Sequence, residues 1–169
     1  MAKLKMLSPL IWGSLLLLSG CSMGSLMIHE EQSPLDFDAT VARITENARA
    51  QGWEVPRAFD FQQALTSRGQ PDPGRITVLK LCSPEFAAQM FSEDASKYVS
   101  VMAPCSIGVY EKSDGLTYVS TMNIRLMSQL MGDEVGPVLR NIADDDERIL
   151  AFLRKDAASI DQPSEELLR

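Results

Sequence analysis

Histidine is almost absent from this chain of 169 residues: His29 is the only one. That excludes multi-His metal sites and most His-based acid–base catalysis. Basic charge is also short, with 16 Lys and Arg against 23 Asp and Glu and a formal charge of -7. An acidic chain lacks the basic face that phosphate backbones require, so no nucleic-acid partner is expected. Three cysteines are too few for a disulfide-dense scaffold. There is no G-x-S-x-G elbow, P-loop, H-E-x-x-H pair or dinucleotide glycine pattern, which lowers the odds of an enzyme. What is present is a composition 45% hydrophobic and 23% charged, over a length that suits one ordinary domain.

The N-terminus supplies the clearest signal. Lys3 and Lys5 make a short positive start, and Leu10 to Leu18 form an apolar core broken only by Gly13 and Ser14. This is the layout of a secretory signal, too short for a spanning helix of about 20 apolar residues. It ends in Leu18-Ser19-Gly20-Cys21, which resembles the lipobox of bacterial lipoproteins. The small residues let the chain enter the peptidase cleft, and the Cys21 thiol takes the lipid. Residues 1–20 are therefore expected to be a signal peptide, 21–25 a lipidated tether, 26–156 the domain and 157–169 a loose tail. Cleavage removes Lys3 and Lys5, leaving 14 basic against 23 acidic residues and a charge of -9. Such a body is not held to anionic lipid by charge; multiple acyl chains, palmitate among them, would anchor it. Ser22 follows the cysteine, where lipoproteins of the enterobacterial kind retained in the inner membrane mainly carry Asp. That points to the outer membrane, with the domain on its periplasmic face.

The body of the chain alternates between two periods. Leu26 to His29 suggests a first strand. Phe37, Val41, Ile44 and Ala48 fall on one helical stripe, with Asp36 or Asp38 as cap and Gly52 as stop. Trp53 to Phe61 reads as a strand, Thr66 to Gly74 as an exposed loop, and Ile76 to Cys82 as a strand of β-favouring residues. Ser83-Pro84-Glu85 opens a short helix through Phe91. The runs Cys105–Glu111 and Leu116–Asn123 flank Ser113-Asp114-Gly115, a hairpin signal. A helical turn at Leu126–Met131 precedes a last helix from about Pro137 to Arg154, with Val138, Ile142, Ile149 and Leu153 on one face. The order predicts an α+β domain with helices on one face of an antiparallel sheet.

Several strings resemble the family catalogued as Domain of Unknown Function 302. They are Leu81-Cys82-Ser83-Pro84, Met102-Ala103-Pro104-Cys105, Val109-Tyr110-Glu111-Lys112 and Asp114-Gly115-Leu116-Thr117-Tyr118, extended by Ser120-Thr121-Met122-Asn123. The likeness spans roughly Ile28 to Leu153. It implies a β-α-β4-α arrangement similar to the TATA-binding-protein fold, and it brings no established activity. Ser106 stands where many members carry Arg after the Pro-Cys pair, so an anion-binding role for that Arg does not carry over.

Cys82 and Cys105 are the remaining thiols. In an oxidising compartment they suit a disulfide closing about 24 residues, worth roughly 2–4 kcal/mol. Two other readings compete. Cys82 precedes a helix N-terminus that can lower its pKa. Alternatively, Cys82 and Cys105 with Met102 and Met122 could hold a soft ion such as Cu(I). A two- or four-residue hairpin loop would place Met122 and Tyr118 on the face of Cys105. The blander reading is core thiols and gap-filling thioethers. His29 reads as a surface or strand residue. Asp144-Asp145-Asp146-Glu147 reads as a solvated helix face rather than a calcium loop. Glu30 and Glu31 point to opposite faces of a strand. The expectation is a membrane-anchored binding or accessory module with no cofactor beyond the Cys21 lipid. Homodimerisation through the uncovered sheet face is expected, and a thiol-redox or soft-metal protein is the alternative.

Overall fold

The computed structural model describes residues 26–103 and 105–155. The signal segment, Cys21, the tether and the C-terminal tail lie outside the described residues. Five strands build one sheet: β1 (Ile28–Gln32), β2 (Glu54–Asp60), β3 (Ile76–Cys82), β4 (Cys105–Glu111) and β5 (Thr117–Met122). Their spatial order is β1-β5-β4-β3-β2, and every neighbouring pair is antiparallel. The helices are α1 (Phe37–Ala50), α2 (Phe61–Thr66), α3 (Pro84–Met90), a 3₁₀ helix (Asp94–Met102), α4 (Ile124–Leu130), α5 (Gly132–Ile149) and α6 (Phe152–Lys155). This is the α+β class expected, a β-α-β4-α frame carrying extra short helices.

Local chemistry explains most boundaries. Asp36 caps α1, its carboxylate accepting from the Ala39 N–H at 2.8 Å. Asp38 pairs instead with Arg75. Phe37, Thr40, Ile44 and Ala48 are the buried face of α1. The Thr40 and Ser33 hydroxyls satisfy each other at 2.6 Å, which makes a polar pair tolerable in the core. Ser83 caps α3, and Pro84 takes the first turn, where its missing N–H costs nothing. Two elements lay outside the sequence expectation. Asp60 caps the short α2 by accepting from Gln63 N–H at 2.9 Å. The 3₁₀ helix fills the stretch between α3 and β4.

The long helix also begins earlier than expected. Pro137 lies inside α5 rather than at its start, although an interior proline removes a ladder bond and crowds the carbonyl four residues back. Gly136, just before it, is where α5 and α4 touch: a Cβ there would sit 2.6 Å from the Ser128 carbonyl oxygen. Only a residue without a side chain allows the two helices to meet this closely.

Leu79 and Leu81 of β3, Ile107 and Val109 of β4 and Val119 of β5 are buried on one sheet face. They pack with Ile44 and Ala48 of α1 and with Val135, Leu139, Ile142 and Ile149 of α5. Each of these larger side chains contributes about 1.5–3 kcal/mol by leaving water. The opposite face carries Lys80, Ser106, Gly108, Tyr110, Tyr118 and Ser120, with no helix layer of comparable length among the described residues.

Candidate functional site at one end of the sheet

The hairpin between β4 and β5 determines what meets at the site. Lys112 N–H donates to the Leu116 carbonyl, and Gly115 sits at φ +76, so the loop is the three residues Ser113–Gly115. An odd loop with glycine in the left-handed region shifts the pairing by one relative to a two- or four-residue turn. The register is Ile107 opposite Thr121 and Tyr110 opposite Tyr118. Met122 and Tyr118 therefore stand on the face opposite Cys105, correcting the expected shared face. Asp114 locks the turn by accepting from the Leu116 N–H at 2.9 Å and the Tyr118 hydroxyl at 2.8 Å.

β3 and β5 end, and β4 begins, at the same edge of the molecule. Leu81 lies opposite Cys105, and Ile28 lies opposite Met122. Over this end pass the last residue of α3, the end of the 3₁₀ helix and the middle of α5. Between them is a cavity of about 160 Å³ lined by Met90, Met102, Cys105, Met122, Ile142 and Asp146, among others. Met122 reaches it despite its outward face because it is the last residue of β5 and the cavity wraps round the strand end. A second cavity of about 100 Å³ lies on the other side of Asp146, with His29, Glu31, Arg125, Glu147 and Arg154 on its walls.

Cys82 and Cys105 are both free and half-buried. Because Leu81 is the residue opposite Cys105, strand alternation puts Cys82 out of phase with it. The turn into α3 still brings both thiols to the wall of one small cavity of about 20 Å³, beside Trp53 and Phe86. Burial pushes the Cys105 thiol up to about 11, and the carboxylate of Asp146 and then Cys82 add to the rise. A thiol held protonated in this way is a poor nucleophile.

The acidic run departs most from expectation. Asp145 is 8% exposed rather than solvated. Its carboxylate accepts from the Trp53 indole N–H at 2.9 Å and pairs with Arg148. Burial pushes the neighbouring Asp146 carboxyl up to about 6, Glu147 adds to this, and His29 and Arg154 pull it back. The nearby arginines are committed elsewhere: Arg125 to Asp144 and Glu147, Arg148 to Asp145, Arg154 to Glu31. Asp146 thus faces both cavities without an ion-pair partner among the described residues.

The signal for this was in the sequence. Asp146 lies four residues after Ile142 and three before Ile149, on the very stripe read as the buried face of the last helix. Met90 was also missed, since nothing local marks the end of a short helix as cavity wall. His29 is an exposed strand residue as expected, and it additionally walls the second cavity. Among the described residues no three His, Cys, Asp or Glu cluster as a metal site.

The open sheet face is organised differently. Glu30 accepts from both the Tyr110 hydroxyl and Lys112, which hold its carboxyl below the usual range. Lys112 also lies 3.8 Å from the centre of the Tyr118 ring, and the two tyrosine rings stack. This polar network lies across the face expected to meet a second copy.

The fold has a solved counterpart in the crystal structure of an uncharacterized conserved DUF302 protein from Bacillus stearothermophilus. The two superpose with a TM-score of 0.63 at 22% identity, covering 76% of this chain and 96% of that one. At that identity the likeness speaks for the fold alone. No curated protein matches the chain. The family model described as Domain of unknown function DUF302 matches residues 29–155, well over half the chain and all five strands but for the first residue of β1. The protein is accordingly a member of the DUF302 family.

Proposed function

We propose that this DUF302 domain is a binding module, held by acyl chains on Cys21 at the periplasmic face of the outer membrane. The anchor rests on Lys3 and Lys5, the short apolar core and the Leu18-Ser19-Gly20-Cys21 quartet. No helix among the described residues is long and apolar enough to cross a membrane, so the lipid would be what holds them there. The binding role rests on one observation above the others. The end-of-sheet cavity joins an apolar, sulfur-rich wall to two ionisable groups, Cys105 and Asp146, that burial has pushed far from their ordinary values. Such a pocket, largely apolar with a few convergent polar groups, is the usual form of a small-ligand site. The test is the intact mass of the full protein taken from its membrane under native conditions. A triacylated Cys21 terminus and a retained small mass are expected, the latter lost when Ile142→Phe fills the cavity. An unmodified Cys21 would defeat the anchor, and an empty parent indistinguishable from Ile142→Phe would defeat the ligand.

A second reading is favoured by the sulfur content of that wall. Met90, Met102, Met122 and the Cys105 thiol surround one space, and soft monovalent ions such as Cu(I) prefer these ligands. Cys82, on the adjoining small cavity, is available as a fifth sulfur. Binding would displace the Cys105 proton, leaving Asp146 as a second negative group nearby. Silver(I), which undergoes no redox change, is the probe. One equivalent should bind the parent and be lost in Cys105→Ser. Equal binding by that variant would end this reading while leaving an apolar ligand possible. Pairing with a second copy through the open face has less support, since the Glu30–Tyr110–Lys112 network already occupies it.

A further inference from the structure

We propose that the cavity end of the sheet docks onto the surface of the lipid bilayer, so that the cavity opens toward the membrane rather than toward the periplasm. The inference rests on the lipid-anchor reading of Cys21 and adds an orientation to it. Four apolar residues at this end are in water: Leu26 at 55% exposure, Ile28 at 49%, Met122 at 40% and Val101 at 88%. They are neighbours in space. Leu26 is fixed by its carbonyl accepting from the Asn123 amide at 2.9 Å, Ile28 lies opposite Met122, and Met122 and Val101 wall the same cavity. Tyr98, 61% exposed, precedes Val101 by three residues in the 3₁₀ helix, where residues at that spacing eclipse and share one face. Tyrosine is enriched where a protein meets the headgroup level of a membrane.

The anchor leads to the same end. From Cys21 to Leu26 is five residue steps, a reach of at most about 17 Å. A domain of this size is roughly 35 Å across. β1 starts at this end and runs away from it, so a tether this short keeps this end near the bilayer and excludes a domain standing on its hairpin tip. Phe59, Phe61 and Leu116 are exposed toward the far end as well, the two phenylalanines meeting edge-on with ring centres 4.7 Å apart, so it is the anchor that selects between the two ends. The charge of -9 argues that apolar contact rather than attraction to anionic headgroups holds the surface down.

The experiment uses the full lipidated chain in vesicles of phosphatidylethanolamine and phosphatidylglycerol containing brominated acyl chains, which quench nearby tryptophan. Val101→Trp places a reporter at the proposed contact. Ser113→Trp places one at the hairpin tip, and buried Trp53 gives a constant background. Severalfold stronger quenching at position 101 than at 113 is expected, unchanged when phosphatidylglycerol is diluted. Equal quenching at both sites, or none, would overturn the docking while flotation of the parent with the vesicles still upholds the anchor. A blue-shifted but unquenched Trp at 101 would mean that the protein itself or a second copy covers this position, which also overturns it. Failure of the parent to float would instead remove the anchor reading beneath it.

Discussion

The two faces of the sheet treat their ionisable groups in opposite ways. On the open face every charged or phenolic group named above has a partner: Glu30 with Tyr110 and Lys112, Tyr118 with Asp114, and Lys80 with the Ser106 hydroxyl. On the covered face Cys105 and Asp146 are moved from their ordinary values chiefly by burial. Partnered groups lower the free energy of the fold they belong to, whereas a desolvated carboxyl without a partner raises it. An acidic domain has no shortage of exposed positions for its carboxylates. One kept at a cavity wall at a cost in stability marks the covered end, rather than the stacked tyrosines, as the place to look for a ligand.

The largest break in this comparison is expected from Trp53→Ala. The indole is 5% exposed, packs against Phe86 with ring centres 5.7 Å apart and donates to buried Asp145. Removing it should cost about 3–5 kcal/mol in denaturant unfolding, because a cavity opens and Asp145 loses its neutral donor. A loss under about 1 kcal/mol would show that the wall between the two acids is not structural.

Asp146→Asn tests the cost assigned to the neighbouring carboxyl. An unfolded aspartate titrates near its model value of 3.8, and the folded one titrates at about 6. The folded state therefore holds this proton more tightly. The group costs nothing below about pH 4, an increasing amount as pH rises to about 6, and a constant amount beyond. Removing the charge should stabilise the protein by about 2–3 kcal/mol at pH 7 and by little at pH 4. A variant destabilised, and more so at pH 7 than at pH 4, would mean that the ionised Asp146 has a partner after all.

The Cys105 thiol sharpens the same contrast by rate. With its pKa at about 11, it should alkylate at pH 8 on the order of 10²-fold more slowly than a peptide thiol. Asp146→Asn should speed it, since a neighbouring negative charge is gone. Mass mapping of the modified cysteine reads both numbers, and a rate indifferent to Asp146 would uncouple the two groups. The smallest effect belongs to the open face. Glu30→Gln should change stability by less than about 1 kcal/mol, because its pairs with Lys112 and Tyr110 are in water. A larger loss in thermal unfolding would mean that the open face carries more of the fold than its exposure suggests.

Legibility followed how local each signal is. The α1 stripe, the Ser83-Pro84 start of α3, the Ile76–Cys82 strand and the Asp114-Gly115 hairpin could all be read because caps, turn chemistry and period act within a few residues. The extra helices α2 and the 3₁₀ segment were missed, since neither is long enough to show a period. The long helix was started too late because proline favours the first turn of a helix, whereas here Pro137 lies inside it. At the site, Cys82 and Cys105 were singled out from the residues alone, while Met90 and Asp146 were not.

What the sequence determined by itself is therefore the class of fold, its family and the lipobox-like quartet at Cys21, all written in short strings and spacings. The tertiary structure alone decided which side chains share a cavity. A three-residue loop, rather than one of two or four residues, turned Met122 away from Cys105, because one step of register reverses every side chain of a strand. The crossing of α5 over the sheet end placed Asp145 under the Trp53 indole and left Asp146 at the cavity wall. Two adjacent aspartates in one acidic run are alike in sequence. Only packing, which fixes distance and water access for each carboxyl separately, makes one a satisfied core acceptor and the other a candidate for binding.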